Sequence, residues 1–468
     1  MYRASNALLS VFLGAAIGCN CSKTKSSGNP ENAAVQVGKD AGQSVNPFES
    51  RFPFHCSVVN GGAQFSMGST GGSEDEDDSG LDIPFGINVG QAVGYAGGFA
   101  VSAIDGRGGK SSAVLALLGS DAQNGRKVEL GRVYGDADPP RIAGDARALV
   151  VVLADMDAAG RTLRLMRVEE PATLAKITRG AEVSVSQNAS TVFSVAVNAN
   201  HGILAWDEAE KSTRKGQIAL APFLVQSLVL PAKPLILSSR DTDAESPQVV
   251  ARTGGFWAAW VQSGSGAINA PQSRRSKVPS NKSNKNGGHE DDSTPPAVEL
   301  GARDLYVNAL DIEGHAIGRP LRVTEGLAHV VAYDLAALDD NIALLAWRDD
   351  DTSPGVESQV VHLGRVGLDG HTEKFRVEDE SIGVGAPQLL VDLEAEVKDR
   401  AWLAVGNTGE KVSLARLLPT GQPSSAIASD ADLGIANPLV RAGGTLLVER
   451  QRGQGVDLEP LRCQFRDP

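Results

Sequence analysis

Aromatic residues make up only 5% of this 468-residue sequence, and it has just four cysteines. No CxxC or Cys/His spacing is present, so a zinc site of the usual kind is excluded. Basic residues are outnumbered: the formal net charge is -13. That balance excludes a phosphate-backbone partner, because a nucleic-acid binder needs a basic face from which counterions are released. The apolar run at the N-terminus, Ala7 to Gly18, is too short to span a bilayer. The sequence also lacks a Ser/His/Asp order, a Gly-x-Ser-x-Gly elbow, a phosphate-binding loop and a His-x-x-x-His pair. Its 7 histidines, His55, His201, His289, His315, His329, His362 and His371, are scattered, with His315 and His371 in equivalent EGH and DGH turns. From these absences neither an enzyme nor a cofactor is expected.

What the chain does have is glycine and proline, 52 and 23 residues, with 41% hydrophobic residues. That combination describes many short elements joined by turns around a large core, an all-β fold. One complete unit lies between Ser246 and Gly326. Its four apolar runs, Gln248 to Ala251, Phe256 to Val261, Leu305 to Leu310 and Pro320 to Val323, are separated by turn formers and read as a four-stranded antiparallel meander. The unit recurs. Second strands end at Ala103, Leu153, Trp206, Trp260, Trp347, Val405 and Val448, at steps of 50, 53, 54, 87, 58 and 43 residues. The long step contains a polar insert, 270–297 (APQSRRSKVPSNKSNKNGGHEDDSTPPA), whose composition predicts a disordered surface loop. Seven copies at one period predict a seven-bladed β-propeller, with six or eight blades as alternatives. The second strands are nearly uninterrupted apolar runs, as expected where neighbouring blades cover both faces.

The fourth copy reads Gly254-Gly255-Phe256-Trp257-Ala258-Ala259-Trp260, then Asp304-Leu305-Tyr306-Val307-Asn308-Ala309, then Asp311-Ile312-Glu313-Gly314. It resembles the blade repeats of large secreted bacterial β-propellers, which implies a fold shared by proteins of many activities. At the N-terminus Ala16-Ile17-Gly18-Cys19 resembles a bacterial lipoprotein signal, although Ala16 stands where leucine is commonest. The resemblance implies cleavage after residue 18 and acylation of Cys19, with Asn20 implying the outer membrane. A plain secretory signal cut nearby is the alternative, and both export the chain. Residues 19–50 are small and polar and read as a flexible tether, with the propeller occupying 51–468.

Blade seven has a first strand at Pro438 to Val440, a second at Thr445 to Val448 and a third at Leu458 to Phe465, and then the sequence stops. The unassigned strand around His55 to Val59 is the candidate to complete that blade and close the ring. This places Cys56 beside Cys463, where an oxidising compartment allows a disulfide. Two free buried thiols are the rival reading, and Cys21 is expected to stay unpaired within the domain.

Carboxylates crowd the loops after the second strands: Asp105; Asp155 and Asp157; Asp207, Glu208 and Glu210; Asp349, Asp350 and Asp351. On one rim they would form an acidic ring suited to a cation or a basic partner. The competing reading is that aspartates initiate tight turns by bonding their own backbone. The expectation is therefore a non-catalytic, lipid-anchored binding or scaffold module of the cell envelope, with an envelope protein or glycan as partner. A propeller hydrolase or lyase acting on a surface polysaccharide is the alternative.

Overall fold

The computed structural model describes residues 54–465 apart from 60–64, 68–85, 96–97, 108–110, 121–124, 134–137, 145–147, 158–159, 170–175, 186–191, 210–214, 264–301, 325–327, 351–358, 378–384, 407–411, 429–436 and 453–454. The signal segment with Cys19, the tether with Cys21, Glu210, the insert 270–297 and Asp351 lie outside the described residues. No helix among the described residues is long and apolar enough to cross a membrane.

Among the described residues, twenty-nine strands form seven antiparallel sheets. Blade 1 comprises β3 (Ile87–Tyr95), β4 (Gly98–Asp105), β5 (Ser112–Gly119) and β6 (Arg126–Arg132). Blade 2 comprises β7 (Arg141–Gly144), β8 (Ala148–Asp157), β9 (Gly160–Glu169) and β10 (Lys176–Val185). Blade 3 runs through β11 (Phe193–Asn198), β12 (His201–Ala209), β13 (Gly216–Leu224) and the two-residue β14 (Leu235–Ile236). In blade 4 come β15 (Asp243–Arg252), β16 (Gly255–Ser263), β17 (Arg303–Leu310) and β18 (Ala316–Arg322). Blade 5 is β19 (Val330–Ala337), β20 (Ile342–Asp350), β21 (Gln359–Gly367) and β22 (Thr372–Arg376); blade 6 is β23 (Pro387–Val391), β24 (Ala401–Gly406), β25 (Val412–Leu417) and β26 (Pro423–Ala428). Blade 7 has only β27 (Asn437–Ala442), β28 (Thr445–Arg452) and β29 (Gly455–Phe465) from the C-terminal end, and β1 (Phe54–Val58) supplies its fourth strand. Each innermost strand contacts the next, and β27 returns to β3, so the ring closes. This is a seven-bladed β-propeller, as the period of the repeats implied.

Seven apolar clusters hold the ring, one at each junction between blades. The second and third strands together supply most of them because their faces are covered on both sides: every residue of β4 is buried, whereas β18, at an outer edge, is almost wholly exposed. Trp257, Trp260 and Trp402 on second strands are among the largest fully buried side chains, and truncating one to alanine costs about 3–5 kcal/mol. The hairpins between third and fourth strands repeat as well. In blades 4 and 5 an Asp side chain, Asp311 or Asp369, accepts from the amide of His315 or His371, and Gly314 and Gly370 supply the positive φ of 85° and 84°. This explains why EGH and DGH occur at equivalent places.

The closing strand pairs as the sequence suggested and adds a second piece. In β1, Cys56 is the register partner of Cys463 and forms a disulfide with it. The short β2 (Phe65–Met67) pairs further along the same outer strand, with Phe65 opposite Leu458 and Met67 opposite Val456. Ser66 Oγ donates to Asp457 Oδ1 at 2.5 Å.

Candidate functional site

A channel of about 710 Å³ runs through the ring and is lined by residues of all seven innermost strands. At one level of it the blades present equivalent positions. Register pairs Arg141 with Val152, Ser194 with Ala205, Gln248 with Ala259, Asp334 with Ala346, Gln388 with Ala404 and Pro438 with Val448. Gln91 completes the set opposite Ser102, whose Oγ donates to its carbonyl at 3.1 Å.

Five of these side chains latch onto the backbone of the following blade. Gln91 Oε1 accepts from the Ile142 amide at 3.0 Å and Ser194 Oγ from the Val249 amide at 3.1 Å. Gln248 bonds both the Tyr333 carbonyl, at 2.9 Å, and the Leu335 amide, at 3.0 Å. Asp334 Oδ2 accepts from the Leu389 amide at 2.7 Å, and Gln388 Nε2 donates to the Leu439 carbonyl at 3.0 Å. Each bond satisfies a backbone group that faces the channel and would otherwise be left unpaired. Arg141 and Pro438 are the two positions without such a bond among the described residues. The sequence carries a signal for two of these latches: in Pro247-Gln248 and Pro387-Gln388 the latch position directly follows a proline.

The channel carries unusual titration. Burial pushes the Asp334 carboxyl up to about 6 against the backbone bonds and Arg141 that pull it down. Burial likewise drives the Tyr333 phenol well above its ordinary value; its hydroxyl donates to the carbonyls of Ser246 and Ala259. Ser246 lies in a bulge of β15 between Glu245 and Gln248 and adopts φ 56°, a left-handed conformation for a residue with a side chain.

The rim aspartates lie at the ends of second strands. Asp105 is bound within blade 1 by Arg107, through two bonds of 2.8 Å, and by Lys127; the Arg107 bond holds its carboxyl well below the usual range. Asp155 pairs with Arg164 at 3.2 Å, and Asp207 is buried. Asp157 ends β8, and its side chain is not among those described. In three blades an acceptor two residues after the anchor takes the indole proton, since residues i and i+2 of a strand share a face: Trp206 to Glu208 at 3.0 Å, Trp260 to Gln262 at 3.2 Å and Trp347 to Asp349 at 3.3 Å.

Asp349 does more than accept that bond. Burial is the first cause that pushes its carboxyl up to about 6, and the nearby charges of Asp304 and Asp350 add to it. Its Oδ2 lies 3.5 Å from His362 Nε2, while Oδ1 is buried with no hydrogen-bond partner among the described residues. His362 stacks on Trp347 with centroids 5.3 Å apart, and burial lowers its pKa. Asp304 comes from the start of β17 in the preceding blade and is brought close by the bridge between Arg303 and His329. It is ion-paired with Arg322 at 2.7 Å and accepts from Thr324 Oγ1 at 2.8 Å. Asp350 pairs with Arg348 at 3.2 Å. The junction of blades 4 and 5 therefore holds a proton-retaining carboxyl beside an ion-paired one. The sequence pointed to Asp349 and Asp350; it showed Asp304 only as the first residue of an Asp-Leu-Tyr strand. Among the described residues no group of three His, Cys, Asp or Glu is placed to hold a metal ion.

No protein-family model matches the chain, and no curated protein matches it in sequence. Its fold is similar to that of polysaccharide lyase Uly1, at 9% identity over 81% of this chain and 90% of that one, with a TM-score of 0.50. The β-propeller domain of the Trilobed protease from Pyrococcus furiosus is similar over 82% and 96% of the two chains, at 11% identity and TM-score 0.46. The GH93 α-L-arabinofuranosidase of Fusarium graminearum is similar over 67% and 89%, at 8% identity and TM-score 0.41. At these identities the likeness is one of fold. It nevertheless corrects the expectation of a non-catalytic binding or scaffold module and of no enzyme, because a polysaccharide lyase has a similar fold. Side chains of different blades come together at a junction, as Asp304 and Asp349 do, and no linear motif records that proximity.

Proposed function

We propose that the chain is an exported propeller enzyme that cleaves a surface polysaccharide, as a hydrolase or a lyase. The observation that carries this reading is the pair Asp349 and Asp304, one carboxyl held up to about 6 and its neighbour ion-paired. Separating two carboxyls in this way assigns one as proton donor and leaves the other charged. Asp349 gives its proton to the leaving glycosidic oxygen. In hydrolysis Asp304 activates water or stabilises the positive charge that develops on the sugar; in elimination the neutral imidazole of His362 takes the proton from the sugar carbon. Likeness to a polysaccharide lyase supports a polysaccharide as substrate. The disulfide supports an oxidising compartment. The lipoprotein-like signal supports an anchor at Cys19 on the outer membrane, from which a tether of 32 residues, 19–50, spans roughly 30 Å.

The test is incubation of the purified protein with neutral and acidic envelope polysaccharides, scoring new reducing ends and ultraviolet-absorbing unsaturated ends. Hydrolysis gives the first alone and elimination gives both. Asp349→Asn is expected to lower the rate by about 10²-fold or more with the melting temperature retained. A fully active Asp349→Asn protein removes the pair from the chemistry.

A further inference from the structure

The channel holds a positive charge, that of Arg141, which no carboxylate among the described residues neutralises at contact distance. Arg141 lines the channel at the latch level of blade 2. Its Nε hydrogen is buried without an acceptor, and Arg141 forms no ion pair among the described residues. Burial pulls its pKa down, and Asp138 and Asp334 act on it only through space and offset that in part. Arg141 is half-buried, and an incoming anion relieves the cost of holding a partly buried charge without a contact partner. A second donor stands next to it. Gln91 Oε1 is occupied by the amide of Ile142, the residue after Arg141, so the Nε2 hydrogens of Gln91 are left over, and no acceptor among the described residues takes them. Gln91 and Arg141 line the same channel.

We propose that Arg141 and Gln91 form an anion site in the channel, which takes the carboxylate of a compact organic acid of about the size of one sugar acid. The planar guanidinium fork matches a carboxylate, and the amide adds a third donor. The remaining charge at this level, Asp334, repels an anion of higher charge more strongly than a single carboxylate. Ser194 and Ser246 face the channel as well and offer hydroxyl contacts to a polyol. About 710 Å³ lies in the range of small-ligand sites. The proposal stands whether or not Asp304 and Asp349 cleave a glycosidic bond.

The experiment is isothermal titration of the full chain with D-glucuronate, with D-glucose as the neutral control and sulfate as the divalent one. Saturable binding of glucuronate is expected, with glucose and sulfate at least tenfold weaker. Arg141→Gln is expected to weaken glucuronate at least tenfold. Gln91→Glu keeps an acceptor for the Ile142 amide and places a tethered carboxylate beside Arg141; it is expected to abolish binding and raise the melting temperature. The Gln91→Glu arm decides the matter should Arg141→Gln fail to fold. Glucuronate binding that survives Gln91→Glu, or wild-type protein that binds glucose or sulfate as tightly as glucuronate, overturns the proposal.

Discussion

Cys56 stands directly opposite Cys463 across β1 and β29, with Cα atoms 4.0 Å apart, and is bonded to it. The bond belongs to a two-part clasp. Around β1, Cys56 packs into the junction of blades 6 and 7, while Phe65 and Met67 of β2 pack into the junction of blades 7 and 1. The N-terminal segment therefore straddles the last blade and is held by a neighbour on each side. Phe65 sits so close to Gly125 of blade 1 that a Cβ there would lie 2.1 Å from its ring.

The disulfide closes a loop with a sequence separation of 407. In the chain-entropy model such a loop contributes up to about 6 kcal/mol, an upper figure because residual structure in the unfolded chain reduces it. Cys56→Ser/Cys463→Ser is expected to lower the melting temperature, followed by circular dichroism, with the amides of β1 exchanging fastest. Equal melting temperatures for the two proteins would show that strand pairing alone closes the ring.

Latches differ in the number of bonds they make, and this sets an order. Gln248 makes two bonds to blade 5, whereas Gln388 makes one to blade 7. Each leaves a backbone group unpaired when removed, at about 1–3 kcal/mol. Gln248→Ala is expected to destabilise more than Gln388→Ala in urea unfolding, and the reverse order would contradict the assignment.

The blade count and closure were legible because a propeller repeats its most buried strand. Phe256 to Trp260 and Ile342 to Trp347 are apolar throughout, so they stand out against any turn. The outer strands were less legible, since solvent faces tolerate many residues: β10 runs from Lys176 to Val185 through a largely exposed, polar stretch, and the outer strand of blade 3 shrinks to Leu235–Ile236. Within β15 the strand begins at Asp243, ahead of Pro247, because a bulge absorbs Ser246 and Pro247. The candidate site was half legible. Asp349 stood out in an acidic run, but its neighbour Asp304 lies in another blade, and a linear pattern does not show a proximity that only the packing of blade 4 against blade 5 creates.

The long insert between β16 and β17 is flanked by Ser263 and Arg303, which are register partners. Its ends are already held at pairing distance, so a short turn can replace it with little change in loop entropy. Replacing residues 264–302 by a four-residue turn is expected to shift the melting temperature by no more than about 3 °C. A larger fall would give the insert a packing role.

Stability should also report the carboxyls of the ring. Asp334 and Asp349 are pushed up to about 6 when folded, mainly by burial, and Glu449 is raised for the same reason. An unfolded carboxyl titrates near 4. Between these values the folded chain holds protons that the unfolded chain has released, so stability falls as pH rises from about 4 to about 6 and is level above that. Asp105 has the opposite sign: its lowered pKa contributes stability above the ordinary carboxyl range, and this is lost as pH falls below about 4. The melting temperature is therefore expected to peak near the lower end of the window and to decline toward neutrality. Asp349→Asn cannot release the proton and should show a shallower decline than the wild type between about pH 4.5 and 7, read by calorimetry. The same proton links stability to the proposed chemistry. If Asp349 donates it, polysaccharide cleavage also falls as pH rises past about 6, whereas a purely structural Asp349 would move the melting curve and leave the pH–rate profile unchanged.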